Sequence, residues 1–182
     1  MSTKRPDVAT RRAQLLDAAD AVFAAHGVTA PLELVVAQAG VGRATLYRQF
    51  PDRSAIMLAL LERSLQQTQE VADQLEDDDE AFFKLLQRVA ERIAVSPPFV
   101  DYWRTVERGD EIMALARNRL WQVFQAPMQR AVAAGLCRAA LSRSDLLLVF
   151  GMLGASLRGE TPSQRQALAR RALHFILEGL RA

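Results

Sequence analysis

Between Gly27 and Pro51 the chain is interrupted by Pro31, Gly40 and Gly42, and this spacing constrains the fold more than any other feature. The two segments left between the breaks, LELVVAQ (32–38) and RATLYRQ (43–49), have room for about two helical turns each. Helices that short do not hold in water by themselves, so neighbours must fix them. Elsewhere apolar residues recur at intervals of three and four. No sustained apolar/polar alternation and no Asn-Gly hairpin turn is found. The expected fold class is therefore all-α, with about nine helices.

The expected elements are a first helix over about 8–25, stopped by Gly27, the two short pieces, and a longer helix over about 53–75. They continue with 80–95, ended by Ser96-Pro97-Pro98, a short helix at 99–108, and 110–134 with Pro127 inside, where a bend is expected. A helix over about 144–158 opens at a Ser142-x-x-Asp145 box. The last opens at Thr161-Pro162-Ser163-Gln164, with cap, Pro at the first position and Gln at the third. The run EDDDE (76–80) reads as a solvated loop whose last Asp caps the next helix. Its consecutive acids lack the spaced ligands and turn glycine of a calcium loop.

Half of the 182 residues are hydrophobic, enough for a sizeable core. The single Cys137 excludes a disulfide framework and a cysteine-rich zinc site. No cofactor is expected. No run reaches the roughly 18 apolar residues of a membrane span, and the opening MSTKRPDVATRR lacks the apolar stretch of a secretory leader. A cytoplasmic protein without membrane contact is expected. Residues 1–53 hold seven of the 23 Lys/Arg and five of the 21 acids, so the whole surplus of +2 lies in the first third, where a polyanion would be met.

On a helical wheel of 43–50, Leu46 and Phe50 share one face and point to a core with Val41. Arg43, Ala44, Tyr47 and Arg48 share the other, flanked by Thr45 and Gln49. Arginine is bidentate to guanine or phosphate, hydroxyls hold phosphates, and a small Ala44 lets the helix approach a groove floor. Two short helices joined by a glycine turn, the second with such a face, make a helix-turn-helix.

Residues 11–57 resemble the DNA-binding module of the tetracycline-repressor (TetR) family of bacterial transcriptional regulators. The matching text is LLDAADAVFAAHGV and then LELVVAQAGVGRATLYRQFPDRSAIM. It has an Ala18-Ala19 pair and Phe23 on the first helix, an Ala39-Gly40-Val41 turn, Thr45-Leu46-Tyr47 before Phe50, and basic Arg53 opening helix four. The segments AVAAGLCRAALSRSDLLLVFGML and LEGLRA resemble the end of the family's regulatory domain. The resemblance implies a DNA-binding domain at 1–52 and a ligand-binding and dimerisation domain at 53–182. It implies Arg43, Ala44 and Tyr47 nearest the bases and backbone, Thr45 and Arg48 near phosphates, and Arg53 at the DNA backbone. Ala30-Pro31 replaces a common Thr pair, and Thr29 is expected to substitute. Lys4, Arg5, Arg11 and Arg12 are read as a mobile basic arm.

The remaining two-thirds is expected to supply a second copy and a ligand. The stretch SDLLLVFGMLGASLR (144–158) is apolar nearly all round, more than one core needs. Leu147, Phe150, Gly151 and Gly154, with Leu168, Ala172, Phe175 and Ile176 of the last helix, are expected at a four-helix homodimer interface. Phe83, Trp103, Arg104, Glu107, Met113, Trp121 and Phe124 are candidates for a small-molecule pocket, since prolines and glycines interrupt packing there. No P-loop, G-x-G-x-x-G, HExxH or G-x-S-x-G is present, and His26, His174 and Cys137 lie in separate segments, which argues against a helical enzyme. The expected partners are double-stranded DNA, a second copy and a mostly apolar effector, in a repressor. An activator of the same family is the alternative, and a helical enzyme or carrier the rival from another class.

Overall fold

The computed structural model describes residues 8–95, 111–138 and 141–182, which form eight α-helices and no strand. They are α1 (Val8–His26), α2 (Leu32–Ala39), α3 (Arg43–Gln49), α4 (Arg53–Gln74), α5 (Ala81–Val95), α6 (Glu111–Ala133), α7 (Arg143–Gly154) and α8 (Pro162–Leu180). The short helix expected over 99–108 lies outside the described residues.

The cores are two. The first runs from Leu15 to Leu60: α1 contributes Leu15, Leu16, Ala18, Ala19, Val22 and Phe23, α2 Val35, α3 Leu46, and α4 Ile56, Met57, Ala59 and Leu60. The helix-turn-helix head thus borrows the first two turns of α4 to close its core. The α2–α3 turn depends on Gly40, which sits at φ 63, ψ 32 and ends α2. There Gly40 N–H donates to Ala37 O and Val41 N–H to Val36 O, both at 3.2 Å. A side chain in this left-handed conformation would cost about 1–2 kcal/mol.

The second core is built around α5, which touches α4, α6, α7 and α8. Phe82, Leu85, Leu86, Phe124, Leu146, Leu153 and Ile176 are its sealed centre. Three helix starts follow the sequence reading. Asp52 caps α4 by accepting from Ala55 N–H at 2.8 Å, and Ser142/Asp145 and Thr161/Gln164 both form complete capping boxes.

Some expectations change. The helix expected over 144–158 ends at Gly154, and Ala155–Arg158 tighten into a 3-10 turn. In the acidic loop Asp78 accepts from Glu80 N–H at 2.8 Å, one residue ahead of α5, and pairs with Lys84. Lys84 and the Glu80 amide hold its carboxyl below the usual range. Arg11 and Arg12 belong to α1 rather than to an arm, while Lys4 and Arg5 lie outside the described residues. Among the described residues no helix is long and apolar enough to cross a membrane, and no cluster of His, Cys, Asp or Glu could hold a metal.

Candidate nucleic-acid interface

The face of α3 is set by its own inner residues. Leu46 and Phe50 are buried to 0% and 1% exposure, so the helix has only one rotation about its axis. That rotation leaves Arg43, Ala44, Tyr47 and Arg48 exposed and Thr45 half-buried at the edge. Tyr47, at 49% exposure, stands in water with a large aromatic ring over a polar surface. Gly42 is the N-cap and supplies no side-chain acceptor, which leaves backbone donors at the α3 start open to an acceptor from outside.

Two features of this surface escaped the sequence. Arg43 reaches back to Glu33 on α2 at 3.1 Å, an exposed pair joining the two short helices. A phosphate would compete with that carboxylate for the same guanidinium. Arg12 on α1 lies 4.4 Å from the centroid of the Phe50 ring and donates to Gln49 O at 3.3 Å, propping the C-terminal end of α3.

Arg53, expected at the DNA backbone, is committed inward. It donates to Ala30 O at 2.7 Å and to Val28 O, and its guanidinium lies 5.5 Å from the Phe23 centroid. These bonds satisfy carbonyls of the loop between α1 and α2 and fix α4 to the head. The loop also leaves Thr29 exposed on the way into α2.

The other candidate residues separate into a sealed group and an open one. Phe124 makes edge contacts with Phe82 and Phe150, at 6.3 and 5.1 Å between centroids. Phe83 is buried beneath Arg181, whose guanidinium lies 4.2 Å from its ring. Phe83 and Phe124 are therefore core residues rather than pocket lining, and Trp121 is half-buried against the same core. Trp103, Arg104 and Glu107, and the side chain of Met113, lie outside the described residues. A cleft of about 480 Å³ opens instead between α1, α4 and α6, with Leu16, Leu58, Arg63, Leu115 and Arg119 on its walls.

On α7 and α8 the exposed large apolar residues are Leu148 (63%) and Met152 (43%), one turn apart, and Leu168 (44%) and Phe175 (55%), two turns apart. Gly151 is exposed among them. Leu147, Phe150, Gly154 and Ala172 are only half-exposed, and Ile176 is buried in its own chain's core, which corrects its place at an outer face. Leu148 and Met152, missed from sequence, carry the stripe that Leu147 and Ile176 do not. Cys137 is buried beside the chain end, where Arg138 N–H donates to Leu180 O at 2.9 Å, and burial pushes its thiol up. It is therefore a protonated, unreactive thiol near neutral pH.

A short helix held from beneath, with cations and hydroxyls outward and a glycine turn before it, defines a helix-turn-helix protein. Comparison with known proteins narrows this. The model for bacterial regulatory proteins of the tetR family matches residues 15–60, the span that forms the first core. The crystal structure of the TetR transcriptional regulator SCO0520 from Streptomyces coelicolor is 30% identical at a TM-score of 0.67, over 93% of this chain and 98% of that one. The TetR transcription regulatory protein of Mycobacterium vanbaalenii shares 24% identity at TM-score 0.67, over 97% of this chain and 98% of that one. SmeT, the repressor of the Stenotrophomonas maltophilia multidrug efflux pump SmeDEF, shares 19% at TM-score 0.65, over 97% and 93%. The last two show the fold alone. No curated protein sequence matches the chain. The chain belongs to the TetR family of bacterial transcriptional regulators, and it is a regulator rather than an enzyme.

Proposed function

We propose that the chain is a homodimeric repressor that grips a palindromic operator through α3 of each copy and releases it when a mostly apolar small molecule binds. The observation that carries this is the exposed Arg43, Ala44, Tyr47 and Arg48 face, locked in place by buried Leu46 and Phe50. The two guanidinium groups read guanine edges or phosphates, and Thr45, Tyr47 and Thr29 bring hydroxyls to the backbone. Arg53 acts here as the brace of the head. Residues 1–52 bind DNA and 53–182 receive the effector and the second copy, with α4 shared between them.

One copy offers few contacts, and two copies reading half-sites about 34 Å apart solve that. The exposed Leu148, Met152, Leu168 and Phe175 stripe supports an isologous pairing of α7 and α8 with their mates. The cleft supports the effector, because α4 touches both α1 in the head and α6 in the regulatory region. Tilting α4 changes the distance between the two α3 helices, and a coupling of about 1–3 kcal/mol gives a 5–150-fold loss of affinity. Selection of duplexes from a random pool with the full-length protein tests the reading. A palindrome with half-sites one helical turn or a multiple apart is expected, and a pool that stays unenriched removes it.

A further inference from the structure

The cleft between the head and the regulatory helices has a charge pattern that names its ligand, on the reading that it receives the effector. Leu16, Leu58 and Leu115 share its walls with three guanidinium groups, Arg12 of α1, Arg63 of α4 and Arg119 of α6, against one carboxylate, Glu62 of α4, so cations remain in excess. Arg63 is matched within the chain by Asp17 at 2.5 Å and Asp20 at 3.5 Å. Arg12 is held differently, by one carbonyl at 3.3 Å and one aromatic ring at 4.4 Å. Both of those partners, Gln49 and Phe50, form the C-terminal end of α3. A guanidinium gains more from a carboxylate or sulfonate than from a neutral carbonyl, so an anion entering the cleft outbids the present contacts of Arg12.

We propose that the cleft takes an amphipathic anion, an acidic group on an apolar body, and that Arg12 is both its ligand and the relay to α3. The acidic group is held by Arg12 and Arg119, and the apolar body lies against Leu16, Leu58 and Leu115. Arg12 then leaves Gln49 and Phe50. The seven-residue α3 loses its prop and, too short to hold its own position, shifts. The volume of about 480 Å³ suits such a ligand, within the roughly 300–1,000 Å³ of ligand pockets.

Anilinonaphthalene sulfonate and its uncharged analogue N-phenylnaphthylamine separate the parts of this proposal. The full-length protein is expected to bind the sulfonate saturably, with affinity about tenfold weaker in Arg12→Gln and in Arg119→Gln, while the uncharged dye binds all three alike. Amide exchange across residues 43–50 reads the relay: the sulfonate accelerates it in the wild type and not in Arg119→Gln, and Arg12→Gln exchanges fast without dye. Equal sulfonate binding by wild type and Arg119→Gln overturns the ligand class, and dye capture that leaves exchange over 43–50 unchanged overturns the relay. Circular dichroism of both variants separates these results from misfolding. None of these readouts uses DNA, so an unenriched duplex pool would sink the functional reading and leave the dye result standing.

Discussion

The outward face of α3 and the outward face of α7 and α8 both stand on fully buried residues, Leu46 and Phe50 under the first, Leu153 and Ile176 under the second, yet they offer water opposite chemistries. Arg43, Thr45, Tyr47 and Arg48 are solvated comfortably and lose little by waiting for a partner. Leu148, Met152, Leu168 and Phe175, each about half exposed, forgo about 1 kcal/mol of burial apiece for as long as they stay uncovered. The polar face fits a partner that comes and goes, the apolar one a partner that stays. The difference also explains why α3 needs bracing from within, through Arg12 and the Arg43–Glu33 pair, whereas α7 and α8 would be covered by the second copy proposed above.

The largest effect expected is on the footing of the polar face. Phe50→Ala empties a site of 1% exposure and removes the ring that holds Arg12, so the head should lose about 3–5 kcal/mol. Chemical denaturation would then show the head unfolding before the regulatory region, and a single unshifted transition would deny that α3 is held from beneath. Next comes the apolar face. The double variant Leu148→Glu, Phe175→Glu should halve the mass measured by sedimentation at micromolar concentration, each change costing about 2–4 kcal/mol of association. A wild type already monomeric would break the comparison, because the stripe would then wait for some other partner. Smaller again is Arg48→Ala, which should weaken binding to a selected duplex by about 1 kcal/mol and lower the salt slope by about one unit. An unchanged slope would take Arg48 off the polar face as a phosphate contact.

How far the sequence foretold these faces depends on how much freedom periodicity left. Two breakers on either side of 43–49 and a Leu46/Phe50 pair four apart permit one rotation of α3, and the structure adopts it. The last helix is apolar at 172, 173, 175 and 176, which covers two faces at once, so spacing did not say that Phe175 points out and Ile176 in. Aromatic residues misled for a related reason. Phe83 and Phe124 have the spacing of lining and of core alike, and contacts distant in sequence decide for core, Arg181 over Phe83, and Phe82 and Phe150 against Phe124. The cleft is walled by leucines, glutamines and arginines that no local pattern marks, because the site arises where α1, α4 and α6 meet. Arg12 was misplaced because its partners lie 37 and 38 residues further along the chain.

The smallest effect concerns what holds α8, and with it Phe175, to the rest of the regulatory region. Arg181, just past the end of α8, grips Glu80 before α5 with two bonds of 2.9 and 2.7 Å while its guanidinium rests on Phe83. The hydrogen bond from Arg181 is the main cause that holds the Glu80 carboxyl below its ordinary value of 4.5. A carboxylate lowered on folding stabilises the native state above its unfolded value, and that contribution disappears as pH falls through the folded value. The window therefore lies below about pH 4.5. Both partners are partly exposed, so screening limits the contribution to about 0.5–1 kcal/mol, or 1–4 °C in Tm for a chain of this size. Glu80→Gln keeps the shape and removes the charge, so its Tm should fall below that of the wild type at neutral pH and converge with it in acid. Tryptophan fluorescence is the suitable reporter, since Trp121 packs against the second core and neither tryptophan falls within residues 1–60 of the sequence. Asp78 titrates in the same loop through its bond to Lys84, and its charge pushes the Glu80 value up, against the larger effect of the Arg181 bond. A gap between the two proteins that persists unchanged below the window would mean that Glu80 secures α8 by shape rather than by charge.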